Sequence, residues 1–463
     1  MSERQTVNDN LQNNSPSVIA IFDVGKTNKK LFLFNENYRI IHEQTTRFDE
    51  IKDEDGDACD DLVSLTSWIN TSIGKLLSEK KHDISAINFS SFGASFVHLD
   101  ENGKPFLPLY SYLKPFPPAL KNKFFDTYGG EEKLTRETAS PVLDHLNSGL
   151  QLYRLKHERG LTERKGFSLH LPQYLSSLVT GKCYSDITSI GCHTMLWNYQ
   201  KGDYHEWVKK ENIDRRLAPV LPCDAVLPTG WKNVVSGAGL HDSSSALIPY
   251  LAIFNEPFVL ISTGTWSISM NPFNDAPLTD DELQHDCLCF LSYQHKPVKA
   301  ARVFAGHEHE EQAKRIAAHF NLSADFTKHV KFNAAICERL VKTHPQDEHD
   351  TFCNGKFAFG DRGLAAFETA EDAYHQLVID IIHQQALSTN LVMNNKVSRI
   401  FVDGGFVRND IYMNLLARAY PRQEVYAATV AQASAIGAAM AIHRHWNPRE
   451  MPASLIELRK VNA

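Results

Sequence analysis

Six consecutive residues near the N-terminus have side chains suited to binding a phosphate and its metal ion. Residues 23–28 read Asp-Val-Gly-Lys-Thr-Asn, which offers a carboxylate, a glycine, an ammonium, a hydroxyl and an amide. Gly25 can take φ > 0 and lets a ligand approach the backbone closely, and Asp23 supplies a hard oxygen ligand for Mg²⁺. Further donors and positive charge come from Lys26, Thr27 and Lys30. The pattern predicts a phosphate-binding loop, with an ordinary β-hairpin and a polar turn as the alternative.

This loop lies between two apolar runs. Residues 18–34 hold five apolar residues, the polar turn and four more apolar residues, which predicts strand, turn, strand. The letters Gly-Lys-Thr at 25–27 are the last three of a Walker A motif, but the glycine required five positions earlier is Ala20. A strand also follows where a P-loop needs a helix. A Walker A P-loop is therefore excluded.

Three further segments carry small and polar residues at turns. Residues 258–270 repeat the strand–turn–strand pattern around Ser-Thr-Gly-Thr-Trp-Ser. Residues 234–247 contain two glycines, a His-Asp pair and three serines at the start of a helical run, and Asp242 stands where a dinucleotide fingerprint needs its third glycine. Residues 399–410 predict a strand that ends in a Gly-Gly turn, with Asn409 as the N-cap of the next helix.

The elements around these turns follow from apolar spacing. Residues 62–77 predict an amphipathic helix with an acidic approach to its N-terminus. Residues 84–99 predict a strand in which Gly93 marks a bulge or a close ligand approach. Residues 431–441 predict a helix of small residues, and Gly437 inside it indicates close packing against another backbone or a planar ligand.

Composition limits the class of protein. A chain of 463 residues with 43% hydrophobic and 22% charged residues predicts a globular protein of two or three domains, two being the first expectation. A net charge of −7 without a Lys/Arg stripe excludes a nucleic-acid partner. The most apolar stretch, residues 247–261, is interrupted by prolines and polar residues, which excludes a membrane span.

The first seventeen residues and the cysteines indicate the compartment. Residues 1–17 are polar and lack an apolar h-region, which predicts a disordered leader and not a signal peptide. Eight cysteines are scattered along the chain without a disulfide-framework pattern. Reduced thiols in a cytoplasmic protein are the expectation.

Two similar hairpins, an Asp-bearing helix start between them and a Gly-Gly turn beyond them predict two similar domains closing on a phosphate donor. With these motifs in this order, the sequence resembles the FGGY carbohydrate kinases of the actin-like ATPase superfamily from about residue 18 onward, and most of all the L-rhamnulose and L-fuculose kinases. Residues 23–30 resemble the family's first phosphate loop and residues 239–243 its Gly-His-Asp-Thr segment. Residues 262–267 resemble the second phosphate loop, and residues 403–410 the adenosine loop.

The resemblance implies an α/β fold of two actin-like (ribonuclease H-like) domains with an interdomain active-site cleft. Residues 18–246 would form the sugar-binding domain and residues 247–463 the nucleotide-binding domain. The implied reaction is transfer of the ATP γ-phosphoryl group to a ketose hydroxyl, in a monomer or homodimer with Mg²⁺. A 6-deoxy-ketohexose such as L-rhamnulose or L-fuculose is the expected substrate, with a pentulose (xylulose or ribulose) as the alternative.

The resemblance also implies roles for individual residues. Asp242 would be the general base that takes the hydroxyl proton, or a carboxylate that only caps its helix. The residues implied to contact the sugar are Gly93, His241 and Ser243. Asp23 would position the metal ion. The residues implied to contact the nucleotide or its phosphates are Gly25, Lys26, Thr27, Asn28, Lys30, Gly264, Thr265, Gly404, Gly405 and Asn409.

The sequence departs from the family at several positions. Residues 110–115 lack the Asp and Arg of the usual Trp/Tyr-x-Asp-x-Arg sugar-binding segment, and Lys26 and Gln432 replace a small residue and a glutamate. Residues 285–309 carry a His-x-Cys-x-Cys and a His-x-His pattern, for which buried thiols and sugar-facing histidines are the expectation and a zinc site the alternative. A non-catalytic sugar sensor on the same fold is a second alternative, and the presence of Asp242 counts against it.

Overall fold

The computed structural model describes residues 16–323, 325–343, 357–430, 432–452 and 454–462. Most of the predicted leader, residues 1–15, lies outside these ranges, and Ser17 already begins the first strand. Within the described ranges, no helix has both the length and the apolar character needed to cross a membrane.

The N-terminal sheet is built around the predicted hairpin. Its strands are β1 (Ser17–Val24), β2 (Lys29–Asn35), β3 (Ile40–Thr46), β4 (Asp83–Ser91), β5 (Val226–Pro228), β6 (Val235–Gly237) and β7 (Leu240–His241). Their order is β5-β6-β4-β1-β2-β3, with β7 also pairing with β4. Strands β1, β6 and β7 all run parallel to β4, so the chain leaves β1, β4 and β7 at the same edge of the sheet.

The C-terminal sheet repeats this arrangement. Its strands are β8 (Phe258–Thr263), β9 (Ser267–Asn271), β10 (Cys287–Leu291), β11 (Pro297–Val303), β12 (Arg399–Gly404), β13 (Glu424–Thr429) and β14 (Glu457–Lys460). Their order is β10-β11-β9-β8-β12-β13-β14. The β8–β9 hairpin beside the parallel strand β12 matches the β1–β2 hairpin beside the parallel strand β4. The repeated strand–turn–strand pattern predicted from the sequence is therefore confirmed.

Helices cover both faces of the two sheets. They are α1 (Leu62–Glu79), α2 (Pro118–Tyr128), α3 (Glu131–Thr138), α4 (Ser148–Arg159), α5 (Leu171–Thr180), α6 (Asp242–Ile253), α7 (Ala305–His319), α8 (Ala334–Thr343), α9 (Ala370–Val392), α10 (Asp410–Ala419) and α11 (Ala433–Ala441). Shorter helices are Ile187–Ile190, Glu206–Lys210, Asp280–Gln284 and His443–Trp446. Short strands outside the two large sheets are Ile51–Lys52, Ala58–Asp60, Phe96–His98, Leu109–Tyr110, Ser168–His170, Ser185–Asp186, Trp197–Asn198, Asp203–Tyr204 and Val220–Leu221.

Helices α6 and α11 lie against each other between the two sheets. One hydrophobic core joins β1 and β2 to both helices and to β8 and β12 of the other sheet. Gly437 of α11 approaches α6 so closely that a Cβ there would lie 1.8 Å from the Ser245 carbonyl oxygen. The close approach predicted for Gly437 is therefore a helix–helix contact.

The two domains also share polar contacts through α11. The Asn88 side chain on β4 donates a hydrogen bond of 2.8 Å to the Ala438 carbonyl oxygen. The predicted boundary between residues 246 and 247 falls inside α6, which continues unbroken from Asp242 to Ile253. The chain thus passes from one domain to the other through a helix that packs against both sheets.

Most local predictions agree with the observed elements, but the single strand predicted for residues 84–99 is wrong. Strand β4 ends at Ser91, Gly93 lies in the following loop, and Phe96–His98 pairs in a separate two-stranded sheet. Helix α1 covers the predicted residues 62–77, and the Asp61 carboxylate caps it by accepting a hydrogen bond from the Ser64 backbone amide. Asn409 caps α10 by accepting a hydrogen bond of 3.1 Å from the Tyr412 backbone amide, as predicted. The helix predicted for 431–441 begins at Ala433, and residue 431 lies outside the described ranges.

Candidate active site

Two carboxylates converge where parallel strands of the N-terminal sheet end. The register pairs Asp23 of β1 with Ser90 of β4, and His241 of β7 with Ser91. Asp242 follows His241 directly and is the first residue of α6. Because ligands of open α/β sheets bind beyond the carboxyl ends of the strands, this edge is the expected place for chemistry.

The environment of Asp23 suits a divalent cation. Burial raises the pKa of this carboxyl group to about 6, the Ser434 hydroxyl opposes the rise, and repulsion from Asp242 adds to it. The Ser434 hydroxyl donates a hydrogen bond of 2.9 Å to Asp23 Oδ2 from the start of α11. A hard divalent cation beside two carboxylates would relieve their repulsion, so the donor set fits Mg²⁺.

Asp242 is placed to act on a ligand in the cleft. Its side chain is 37% exposed, whereas the neighbouring His241 side chain is buried. Asp242 Oδ1 accepts a hydrogen bond of 2.7 Å from the Ser243 backbone amide at the N-terminus of α6. The N-cap position belongs to His241, so Asp242 lies one residue further in than the capping alternative expects.

The residues expected to contact the sugar lie around His241. A Cβ at Gly93 would lie 2.9 Å from His241 Cδ2, so glycine is needed for this ring to pack against the backbone. The His241 ring has Nε2 3.2 Å from Asp242 Oδ1. Burial lowers the pKa of His241, which keeps the imidazole neutral. The Ser243 hydroxyl lies 3.4 Å from Asp242 Oδ1, so His241 and Ser243 both lie beside the carboxylate, and Gly93 lies behind the His241 ring.

The first phosphate loop differs from the prediction in its backbone. The Gly25 amide donates to the Asn28 carbonyl oxygen over 3.0 Å and closes the turn. Gly25 is not among the residues with positive φ, so the turn does not use the left-handed backbone that glycine permits. What glycine does provide here is space, because a Cβ would lie 3.2 Å from the Asn28 carbonyl oxygen. Thr27 at the tip of the turn is exposed.

The charged side chains of this loop are held by protein groups. The Lys26 ammonium lies 2.7 Å from Asp60 and 2.8 Å from Glu50, and it therefore points to carboxylates and not to a free phosphate site. The Lys30 ammonium lies 3.4 Å from the Gln432 side-chain oxygen across the domain interface. The Asn28 side-chain oxygen accepts a hydrogen bond of 2.7 Å from Arg47. Of the two lysines, Lys30 is the one in contact with the second domain.

The second phosphate loop is shaped by close backbone contacts. Gly404 has φ 91°, and a Cβ there would lie 2.0 Å from the Thr263 carbonyl oxygen. A Cβ at Gly306 would lie 1.9 Å from the Gly264 carbonyl oxygen. The Thr265 carbonyl oxygen accepts a hydrogen bond of 3.2 Å from the amide of residue 307 at the start of α7. The loop, the Gly-Gly turn and α7 therefore enclose one space.

That space is a cavity of about 520 Å³. It brings together Gly264, Gly405 and Asn409, three of the residues predicted to contact the nucleotide. His309 and Phe406 also line it, and the His309 ring nitrogen Nε2 lies 2.8 Å from the Tyr374 hydroxyl, which in turn accepts from Asn409. Glycine backbone, two rings and a few polar side chains around a cavity of this size suit a nucleotide.

Several residues near the carboxylates were not predicted from the sequence. Cys192 Sγ lies 3.3 Å from His241 Nε2, and His193 is its neighbour in the chain. Burial raises the pKa of Tyr112, Lys26 lowers it, and Asp242 raises it further. The phenol therefore lies close enough to Asp242 to interact with its carboxylate electrostatically. These residues lie in loops without apolar periodicity, which carry no sequence signal for a site. The one indication was that Tyr112 lies in the segment 110–115, which departs from the family pattern.

The segment 285–309 does not form the zinc site considered from its sequence. Cys287 and Cys289 are buried in strand β10, whereas His307 and His309 lie in the first turn of α7. Among the described residues, no group of three potential metal ligands includes any of these four. Buried thiols and a cavity-lining His309 account for the pattern.

Comparison with known families follows the same division of the chain. Residues 18–228 match the FGGY family of carbohydrate kinases, N-terminal domain, and residues 255–450 match carbohydrate kinase FGGY, C-terminal domain. The chain belongs to the FGGY family of carbohydrate kinases. The resemblance seen in the sequence is therefore confirmed, and α6 lies between the two matched segments.

Individual relatives are more distant. A rhamnulokinase of Mannheimia succiniciproducens is 26% identical over 281 residues, which cover 57% of this chain and 55% of the relative. A rhamnulokinase of Bacteroides thetaiotaomicron is 26% identical over 224 residues, 45% of each chain. The chain thus spans about half the length of these two relatives.

Solved structures of similar fold cover almost the whole chain. A carbohydrate kinase from Novosphingobium aromaticivorans has a TM-score of 0.78 at 24% identity and covers 96% of this chain and 94% of its own. A xylulose kinase from Lactobacillus acidophilus has a TM-score of 0.77 at 16% identity and covers 96% and 93%. The predicted two-domain α/β fold is confirmed.

Proposed function

We propose that this FGGY-family protein transfers the γ-phosphoryl group of ATP to a hydroxyl of a ketose. The observation that supports this most is the position of Asp242, an accessible carboxylate at the start of α6 that shares one sheet edge with Asp23. A sugar hydroxyl is a poor nucleophile, so a carboxylate within hydrogen-bond reach must take its proton as the new bond forms.

The remaining groups are assigned to positioning. The cavity next to the Gly-Gly turn would hold the nucleoside, with Asn409 and the 404–405 backbone against it. The two hairpin turns would bind the phosphates through backbone amides, Thr27 and Thr265, and Lys30 would add positive charge from the domain interface. Mg²⁺, held by Asp23, would neutralise phosphate charge. Lys26 is left out of this assignment because two carboxylates already hold it.

A 6-deoxy-ketohexose is the proposed substrate. Both sequence relatives described above are rhamnulokinases. The His241 ring lies 5.5 Å from Phe290, and Tyr112 packs edge-on against Phe92 at 5.7 Å. Aromatic walls on the sugar side of the cleft would bury a methyl group better than a hydroxyl. Phosphorylation of a pentulose is the alternative within the same reaction class.

The substrate proposal is tested with a matched pair of sugars. L-Rhamnulose and L-fructose differ only by a hydroxyl at C6, and ADP release with each is measured at equal concentration, along with L-fuculose, the ribuloses and the xyluloses. We expect kcat/KM for L-rhamnulose to exceed that for L-fructose by about 10- to 100-fold, because an apolar wall discriminates only moderately against an added hydroxyl. A pentulose with the highest kcat/KM would contradict the 6-deoxy assignment.

The role of Asp242 is tested with Asp242→Asn. We expect sugar-dependent ATP turnover to fall by about 10²- to 10⁴-fold, the usual contribution of a general base. ATP affinity, measured by calorimetry, should change little. Asp126→Asn on the exposed face of α2 is the matched control and should keep full turnover. Retained turnover in Asp242→Asn would refute the assignment, and absence of turnover with every ketose in the unaltered protein would favour a sugar sensor.

The proposal includes a cytoplasmic location. The seven cysteines within the described ranges are free thiols, which is typical of a reducing compartment. A monomer or homodimer stays a prediction from the family resemblance.

A further inference from the structure

Three potential metal ligands, one thiol and two imidazoles, meet beside the proposed base. Cys192, His193 and His241 are buried and offer ligand atoms that all lie within 4.8 Å of one another. His241 Nε2 lies 3.3 Å from Cys192 Sγ and 3.2 Å from Asp242 Oδ1. A thiol and two imidazoles thus surround one point, and the Asp242 carboxylate lies beside the His241 ring.

These separations are close to those of a zinc coordination shell. Zinc bonds of about 2.3 Å to sulfur and about 2.0 Å to nitrogen or oxygen place tetrahedral neighbours about 3.3 to 3.5 Å apart. The two measured separations agree with this range to within a few tenths of an ångström. Only small side-chain shifts are therefore needed for one ion to bond to Cys192 and His241, and Asp242 lies next to that position.

The groups around the ligands favour the required orientation. His193 Nδ1 lies 3.1 Å from the Leu146 carbonyl oxygen, and His241 Nδ1 lies 3.4 Å from the Ser244 hydroxyl. Such contacts at Nδ1 leave Nε2 of each ring as the nitrogen available to a metal. The exposed part of Asp242 gives an entry path from the cleft.

The nearby charges and the soft ligand types of the site determine which metal ion it binds. Arg302 is the cation near the cluster, and Asp286 accepts two hydrogen bonds from its guanidinium at 2.7 and 3.0 Å. That pairing reduces the repulsion that Arg302 exerts on a bound cation. Thiolate and imidazole ligands select Zn²⁺ over Mg²⁺, which prefers oxygen ligands alone. Zinc can therefore bind here while Mg²⁺ is in large excess.

We propose that Cys192, His193 and His241 bind an inhibitory Zn²⁺ ion beside Asp242, on the sugar side of the cleft. Binding replaces the Cys192 thiol proton, which passes to solvent, so a sulfur–zinc bond forms as the S–H bond breaks. The bound cation lies beside Asp242 and attracts its carboxylate, which makes Asp242 a weaker proton acceptor for a sugar. The binding step stands by itself, and only the inhibition rests on the proposed function.

Binding is tested on the full chain without sugar or nucleotide. Metal-free protein is titrated with Zn²⁺ against a chromophoric chelator, and with Co²⁺ to detect the near-ultraviolet absorption of a cobalt–thiolate bond. We expect one equivalent of either ion and a thiolate band in the unaltered protein. Cys192→Ser should lose the band and weaken Zn²⁺ binding by at least about tenfold, as expected when a ligand is removed.

Two further variants keep the test decisive. Cys183→Ser alters a half-buried thiol outside the cluster and should bind like the unaltered protein. His193→Gln should weaken binding while retaining the cobalt–thiolate band, which loss of folding could not produce. An unaltered protein without a thiolate band, or Cys192→Ser that binds Zn²⁺ equally well, would overturn the site.

Inhibition is measured separately. In excess Mg²⁺, Zn²⁺ should inhibit sugar-dependent ADP release in competition with the sugar, and a chelator selective for zinc should restore the rate. Cys192→Ser, compared with its own zinc-free rate, should require at least about tenfold more Zn²⁺. One bound zinc without any kinase activity would leave the metal site standing and reject the proposed function. Zinc binding without inhibition of an active kinase would reject the inhibitory role.

Discussion

Gly437 offers a direct test of how the two domains are joined. In the Gly437→Ala variant the new Cβ would lie 1.8 Å from the Ser245 carbonyl oxygen, and ordinary contact begins at 3.4 Å. The two helix backbones must therefore separate by about 1.6 Å at this point. Both atoms that collide are held in helices of the shared core, so a side-chain rotation cannot relieve the overlap.

The expected magnitude is the difference of two effects. Alanine favours a helix interior over glycine by about 1 kcal/mol, whereas overpacking of a core costs typically about 1–3 kcal/mol and occasionally more. A 1.6 Å displacement of backbone against backbone belongs at the upper end, so we expect a net loss of about 2 kcal/mol in the free energy of unfolding. The loss should come with a raised KM for ATP, because α11 carries Ser434 to Asp23.

The control is a glycine in a similar helical position without neighbours. Gly74 lies inside α1, and nothing lies within 4 Å of a Cβ added there. Gly74→Ala should therefore raise the free energy of unfolding by about 0.5–1 kcal/mol. Both variants are followed by circular dichroism in urea. A Gly437→Ala protein as stable as the unaltered chain, with unchanged KM for ATP, would refute the close contact between α6 and α11.

Two other substitutions give independent tests. Lys26→Ala should change KM for ATP by less than about threefold, because Lys26 is paired with carboxylates. It should lower the free energy of unfolding by less than about 1 kcal/mol, because these ion pairs are partly exposed to solvent. A large rise in KM, measured by ADP release, would show that Lys26 does belong to the phosphate site. Burial, with a smaller contribution from Arg216, lowers the pKa of His98 to about 3, so the folded state stays neutral where the unfolded chain takes a proton below about pH 6.5. This histidine therefore lowers the free energy of unfolding by about 2 kcal/mol as pH falls from 7 to 5. In His98→Phe, the pH-dependent decrease measured by urea unfolding should be smaller by that amount. An unchanged pH dependence would contradict the burial argument.

The sequence was sufficient for the elements that local patterns define. Apolar periodicity located both hairpins and α1, and side-chain chemistry identified Asn409 as a helix cap. The two domains followed because the same strand–turn–strand pattern occurs twice. Gly437 was recognised as a close contact since glycine in a helix is unfavourable without a reason.

Other features depended on contacts between distant parts of the chain. Ser434 reaches Asp23 across 411 residues, and nothing near either residue indicates the pairing. Lys26 was expected to face a phosphate, but Asp60 and Glu50 approach it once the strands are assembled. The same limitation hid the contact of Cys192 with His241, because a thiol in a loop carries no spacing signal.

The contact between α6 and α11 also has a consequence for motion. Gly437 and the alanines beside it bring backbone against backbone at this contact, where the side chains of α11 are too small to interlock. Shear between packed helices is easiest where rotamers need not change. The interface that unites the two sheets in one core is therefore also suited to small sliding movements, and a displacement there would alter the separation of Asp242 and the cavity beside the Gly-Gly turn.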